Sequence, residues 1–200
     1  MWILKAHLLL GVVVLFGILQ NGTCDLPPPT IIPDKKEFVL ELNSVFNVTC
    51  TGNKSVVWDE PLPVNTHVLP GFYTSTLLID SAAGYHTGEY VCVYKTLDEY
   101  QSNIDTMASI YIFVPDPDYP FVPDDSAEVF QDCIPCRVTD PQSVVILRSL
   151  PSGDVLYSHY EQMFGFIGSF PPGQYVCETS VNGEAVRSMV YNVTDMPCKP

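Results

Sequence analysis

Cys50 and Cys92 stand 42 residues apart, and Cys136 and Cys177 stand 41 apart. Each second cysteine follows a tyrosine by two positions, in Tyr90-Val91-Cys92 and Tyr175-Val176-Cys177. A glycine precedes each tyrosine by two, at Gly88 and Gly173, and Trp58 lies eight residues after Cys50. The chemistry this pattern offers is thiol oxidation to cross-links. Nothing in it offers catalysis. The four histidines, His7, His67, His86 and His159, are scattered. None stands beside a nucleophile motif or at metal-ligand spacing with cysteine or carboxylate. Asp116, Asp118, Asp124 and Asp125 bring hard oxygen ligands that suit calcium. They lack an ordered ligand loop and read better as a solvated acidic linker. No metal, cofactor or catalytic residue is expected.

One fold puts such residues to use. In an immunoglobulin-type sandwich the two cysteines come from strands B and F and bridge the sheets. A strand C tryptophan packs on the bond, and the tyrosine two before the second cysteine closes the E–F corner through its hydroxyl. The set occurs twice at nearly equal spacing. It therefore predicts an all-β protein of two tandem immunoglobulin-like β-sandwiches of the C2 or I-set type. Trp58, Tyr90 and Tyr175 are expected in the structural core, and Cys50–Cys92 and Cys136–Cys177 as its disulfides.

Residues 1–24 read as a secretory signal peptide: Lys5, then an apolar run over 8–19, then small or polar residues to Cys24. The competing reading, a signal anchor, needs a longer run than this one, since a bilayer span takes about 20 residues. Cleavage after Cys24 leaves 176 residues, enough for two sandwiches, and six cysteines, an even number suited to an oxidising compartment. It also removes one cation and no anion, so the formal charge moves from −14 to −15. Nucleic acid and anionic membrane are poor partners for that surface. A basic protein ligand would be steered to it, and the bland alternative is solubility alone. No segment after the signal suits membrane insertion.

Residues 25–35 are proline-rich and extended. The first sandwich is placed at 36–114. There Phe38, Leu40 and Leu42 alternate with polar neighbours, as do Phe46, Val48 and Cys50 on strand B. Strands follow at 56–58 (C), 73–79 (E), around Tyr90, Cys92 and Tyr94 (F), and 109–114 (G). A linker over 115–120 carries Pro115, Pro117 and Pro120. Proline-fixed backbone makes it stiff, so the two sandwiches are expected to form a rod. The second sandwich spans 121–195. Strand B holds Cys136 and Val138, and strand C at 144–147 has no tryptophan. Phe164, Phe166 and Phe170 are expected to supply the missing bulk. Strand F runs over 173–181, Asn182-Gly183 is a two-residue hairpin turn, and strand G covers 185–193. Residues 196–200 are a tail.

Two further features qualify this frame. Cys133 and Cys198 fall at one pole of the second sandwich, where strand B begins and strand G ends. They are expected either to pair in a third, exposed disulfide or to remain unrelated thiols. Asn47-Val48-Thr49, Asn53-Lys54-Ser55 and Asn192-Val193-Thr194 are acceptors for N-glycosylation.

At the joint the strings become more specific than the general pattern. Ser109-Ile110-Tyr111-Ile112-Phe113-Val114-Pro115-Asp116-Pro117-Asp118 with Phe121-Val122-Pro123 resembles the first-to-second domain junction of the platelet-derived growth factor receptors. So does Ile134-Pro135-Cys136-Arg137-Val138-Thr139-Asp140-Pro141-Gln142. Leu42-Asn43-Ser44 and His86-Thr87-Gly88 fit their first domain. Those receptors are single-pass tyrosine kinases with five extracellular immunoglobulin domains. A dimeric cystine-knot growth factor binds mainly the second and third. The resemblance implies ligand contacts on strand A and the end of strand G, which here match Val129, Phe130, Tyr191 and Val193. Both places depart from the family pattern. Strand A looks several residues short, and the strand G end carries the Asn192 acceptor where aromatics are expected.

The expected function is thus a non-enzymatic growth-factor-binding ectodomain fragment or soluble form, with weakened ligand binding and no signalling of its own. It would be secreted, or at the plasma membrane if part of a full receptor, and monomeric without ligand. Its partner would be a basic dimeric cystine-knot growth factor. The alternative is a secreted immunoglobulin-family adhesion or structural protein that acts through protein–protein contacts.

Overall fold

The computed structural model describes residues 26–95, 107–123, 128–129, 132–181 and 184–194. The first domain contains β1 (Thr30–Ile32), β2 (Glu37–Val39), β3 (Phe46–Thr51), β4 (Val56–Trp58), β5 (Thr66–Pro70), β6 (Thr74–Ile79), a 3-10 turn (Gly84–His86), β7 (Gly88–Tyr94) and β8 (Met107–Phe113). One sheet runs β1-β3-β6-β5 and the other β2-β8-β7-β4. Val48, Cys50, Leu77, Ile79, Trp58, Tyr90, Cys92, Ile110 and Ile112 fill the space between them. They are alternate residues of their strands, which is why apolar and polar side chains alternate in the sequence.

The core cross-link is Cys50–Cys92. Trp58 lies opposite Cys92 in the β4–β7 register, and its indole N–H donates to the Ser75 carbonyl at 3.0 Å. The Tyr90 hydroxyl donates to the His86 carbonyl at 2.9 Å, closing the corner as expected. Burial raises the Tyr90 phenol above its ordinary range.

Three details differ from what the sequence predicts. The proline-rich segment is not a separate lead-in. Its Thr30–Ile32 stretch is β-branched throughout and pairs antiparallel with β3, and the Tyr94 hydroxyl ties down the Pro27 carbonyl at 2.9 Å. The alternation Phe38, Leu40, Leu42 also stops early. β2 ends at Val39, and Asn43 turns the chain with φ of 63°, leaving Leu42 exposed. Strand β5 had no counterpart in the sequence reading.

His86 is fully buried in the 3-10 turn. Its Nδ1 accepts the Ala83 N–H at 3.0 Å, so the ring proton sits on Nε2, which faces the Val64 carbonyl at 2.9 Å. A second proton has no acceptor there. Burial lowers the His86 pKa from its ordinary 6.5 despite the two backbone bonds. The neutral ring is the folded form. Stability from this site is therefore complete above about pH 6.5 and declines as pH falls below it, because only the unfolded chain then takes up the proton. The urea midpoint of the first domain, followed by Trp58 fluorescence, is expected to be lower at pH 5.5 than at pH 7.5. A difference unchanged by His86→Gln would assign that pH dependence elsewhere.

The second domain contains β9 (Glu128–Val129), β10 (Cys133–Ile134), β11 (Val144–Leu150), β12 (Val155–Leu156), β13 (His159–Glu161), β14 (Gly165–Ile167), β15 (Gly173–Val181) and β16 (Glu184–Val193). Its sheets are β12-β11-β15-β16-β9 and the short β10-β14-β13. Cys136–Cys177 bridges them, and the Tyr175 hydroxyl donates to the Pro171 carbonyl at 2.6 Å. Leu147 lies opposite Cys177, where Trp58 lies opposite Cys92 in the first domain. Phe166 and Phe170 are buried and replace the missing indole bulk, whereas Phe164 is half exposed and does not. The register Val181↔Glu184 leaves two residues for the β15–β16 connection, as Asn182-Gly183 predicts.

Strand B was expected through Cys136 and Val138. Only Cys133–Ile134 is a strand, interrupted at Pro135. Val138 instead forms an isolated bridge with Phe121. Gly165, at φ of +95°, passes directly over the backbone of this interruption, with Ile134 O, Cys136 N and Pro135 Cα where a side chain would be.

The two sandwiches touch beside the linker as well as through it. Tyr111 and Phe113 alternate with the core residues Ile110 and Ile112, so they point away from the first core, yet both are buried. The Tyr111 hydroxyl points to the Gln162 carbonyl of the second domain at 3.5 Å. Glu89 and Tyr111 share a cleft with Cys133, Pro135, Arg137, Met163 and Phe164. The second sandwich leans on the outer face of β8, because two large aromatic side chains there gain more by being covered than by facing water.

Candidate ligand-binding face

The strand G residues expected to meet a ligand lie inside the second sandwich. Tyr191 and Val193 are both 3 % exposed. The Tyr191 hydroxyl donates to the Pro135 carbonyl at 2.9 Å. Tyr191 pairs with the inward Tyr175, and β-strand alternation then sends Val193 inward as well. Val129 is the parallel partner of Val193 across β9–β16, so strand A is present there for two residues. Phe130 lies outside the described residues.

The residues between them form the surface. On the outer face of the five-stranded sheet, Leu150, Gln174 and Asn192 make one row, Arg148, Val176 and Val190 the next, and Ile146 with Glu178 a third. Val144 is 63 % exposed, Val190 52 %, Ile146 38 % and Leu150 37 %. Arg148 Nε donates to Glu178 Oε2 at 2.8 Å, and Arg148 Nη1 to the Gly153 carbonyl at 3.1 Å. The face is thus an apolar sheet surface around one internally neutralised ion pair. Such a surface can exclude water against a partner without burying an unpaired charge. Unshifted pairing across Asn182-Gly183 would put Val190 opposite Tyr175 and inward; the register shift between Thr179 and Ser180 turns it outward, so the sequence carried no signal for this face.

Each glycan acceptor is exposed. Asn47 stands on the outer face of β3, in a row with Leu78. Asn53 lies in the β3–β4 turn, its backbone N–H donating to the Tyr94 hydroxyl at 3.3 Å. Asn192 sits on the apolar face itself, its Oδ1 accepting from Gln174 Nε2 at 3.0 Å. Cys133 is a free thiol whose Sγ donates to the Phe164 carbonyl at 3.2 Å. Burial, then the neighbouring Asp132, raises its pKa. Cys198 lies outside the described residues, so a Cys133–Cys198 bond stays an expectation. Asp116, weighed above as a calcium ligand, is buried and takes up backbone N–H groups. Among the described residues no group of acids, histidines and cysteines could hold a metal ion, and no helix is long and apolar enough to cross a membrane.

The two disulfide-bridged sheet pairs define a tandem of immunoglobulin-like β-sandwiches. Residues 27–124 match the family model described as VEGFR1-3, N-terminal Ig-like domain. Platelet-derived growth factor receptor alpha of Xenopus laevis is 37 % identical over 94 % of this chain, and that of Homo sapiens 35 % over 90 %. Platelet-derived growth factor receptor beta of Rattus norvegicus is 34 % identical over 96 %. The chain is a homologue of the extracellular immunoglobulin-like region of the platelet-derived growth factor receptors, and it is extracellular. It spans 19 %, 18 % and 18 % of the length of these three relatives. Among solved structures, a titin tandem of immunoglobulin domains covers 84 % of this chain and 96 % of its own, at 12 % identity and a TM-score of 0.36.

Proposed function

We propose that this chain is a non-enzymatic growth-factor contact module whose second domain meets a basic dimeric cystine-knot ligand of the platelet-derived growth factor type. The observation that carries this reading is the uncovered apolar face of Val144, Ile146, Leu150 and Val190. The names of the relatives support the ligand class. The formal charge of −14 suits a basic partner and speeds encounter.

Binding by these two domains alone is weak. Tyr191 and Val193 are turned inward, and a glycan on Asn192 stands over the face. Steering accelerates association but does not lengthen the life of a complex. Two modules not joined to one another also gain no avidity from a dimeric ligand. Surface plasmon resonance of the glycosylated chain against the growth factor is expected to give fast dissociation and a response that shrinks with salt. Asn192→Gln should slow dissociation about tenfold, equivalent to about 1.4 kcal/mol. Val190→Asp in that background should abolish the gain. Tight, salt-insensitive binding by the glycosylated chain, or no binding by Asn192→Gln, would refute the reading. The same apolar face also suits an adhesion protein, which would self-associate without ligand in sedimentation runs at high concentration.

A further inference from the structure

The segment between the two sandwiches is bonded on both sides. The Val114 N–H donates to Thr87 Oγ1 of the first domain at 2.9 Å. Asp116 is 8 % exposed, and its Oδ2 accepts the Gly84 N–H at 3.3 Å. Its Oδ1 accepts the N–H groups of Asp118 and Tyr119 at 3.0 and 3.3 Å, which folds the segment back on itself. The Asp116 N–H donates to Thr139 Oγ1 of the second domain at 3.3 Å, and the Thr139 hydroxyl donates to the Tyr119 carbonyl at 3.0 Å. A methyl group at Gly84 would stand 3.1 Å from Asp116 Cβ and 3.3 Å from Thr139 Cγ2, so the two domains meet at this carboxylate.

Beyond Asp116 the segment behaves as a strand of the second domain. The Thr139 N–H donates to the Pro120 carbonyl at 3.0 Å, the Val122 N–H donates to the Arg137 carbonyl at 2.9 Å, and Phe121 bridges Val138 antiparallel between them. Phe121 belongs to the second core. This ladder lies along the part of strand B that is interrupted, beside a sheet whose own strands have two or three residues.

We propose that residues 114–122 are a shared strap, an edge strand of the second domain locked to the first through Asp116, and that the two domains open as one cooperative unit. The strap lends the short sheet of the second domain a partner that the first domain holds still. Loss of the lock frees the strand, and the ladder on Arg137–Thr139 then frays with it, because an unanchored edge strand of three residues is too short to hold alone.

Hydrogen exchange followed by mass spectrometry on the full secreted chain tests this. Thr139→Val keeps the buried volume and removes the hydroxyl that joins strap to domain. Exchange is expected to accelerate about tenfold or more at Gly84, in the first domain, and at Val122 and Thr139, in the second. Val48 in β3 should be unchanged. Asp116→Ala should do the same, with Asp116→Asn intermediate because it keeps an acceptor. In urea, the wild-type midpoint by Trp58 fluorescence, which reports the first domain, should coincide with the midpoint by far-ultraviolet circular dichroism. In Thr139→Val the two should separate. Acceleration confined to one domain, or separate wild-type midpoints, would overturn the proposal. If Asp116→Ala is not secreted, Thr139→Val and Asp116→Asn still decide it.

Discussion

Trp58→Ala is expected to destabilise the first domain by about 3–5 kcal/mol, the range for removing a buried indole or phenyl ring. Trp58 is 3 % exposed and packs among Cys50, Cys92 and Leu77. Three losses coincide in the variant. The apolar area of the ring is no longer buried, the space left beside the disulfide collapses only in part, and the Ser75 carbonyl loses the indole N–H that it accepts at 3.0 Å. Ser75 is itself 1 % exposed, so water cannot take over that bond without opening the sheet. Leu147→Ala removes the counterpart in the second domain and should cost less, about 2–5 kcal/mol, since no hydrogen bond goes with it. Urea melts of the two variants, each followed by far-ultraviolet circular dichroism, measure both. A loss below about 1 kcal/mol for Trp58→Ala would mean that the indole does not organise this core.

Gly165→Ala should act on the second domain as strongly, by about 3 kcal/mol or more, although it adds only one carbon. Two costs add. With φ of +95° the backbone lies where L side chains are strained. The new methyl also meets Ile134 O, Cys136 N and Pro135 Cα, all backbone atoms that cannot rotate away. Relief requires β14 to withdraw from β10, which removes the Cys133↔Ile167 and Ile134↔Phe166 pairing and shifts Cys136 beside its disulfide. A lower secreted yield and a drop in the melting temperature of about 10 °C or more are expected, from the usual conversion of stability to melting temperature in a domain of this size. Gly153, at φ of +75° with open space around it, supplies the control. Gly153→Ala carries the conformational cost without the clash and should lose about 1–2 kcal/mol. Equal effects of the two changes would show that backbone conformation alone, and not the crossing, sets the demand for glycine at 165.

Much of this molecule is legible in its residues because the relevant forces are local or covalent. The Cys50–Cys92 and Cys136–Cys177 pairs, the two tyrosine corners and the strands around Trp58, Cys92 and Cys177 follow from spacing and period-2 alternation. The Asn182-Gly183 turn agrees with the Val181↔Glu184 pairing, but the register shift between Thr179 and Ser180, which sends Val190 outward and Tyr191 inward, is not written in it. What alternation cannot state is what lies beyond a strand's second face. Tyr111 and Phe113 alternate with the core residues Ile110 and Ile112, yet the tertiary structure buries them too, Tyr111 against the second domain. Pro120, Phe121 and Val122 read as linker and start of a sandwich, and it makes them the ladder partner of Arg137, Val138 and Thr139. Asp116 reads as a solvated acid, and it becomes the carboxylate on which both domains meet. In each case the partner is distant in sequence, so its contribution to burial and hydrogen bonding exists only once the chain has closed on itself.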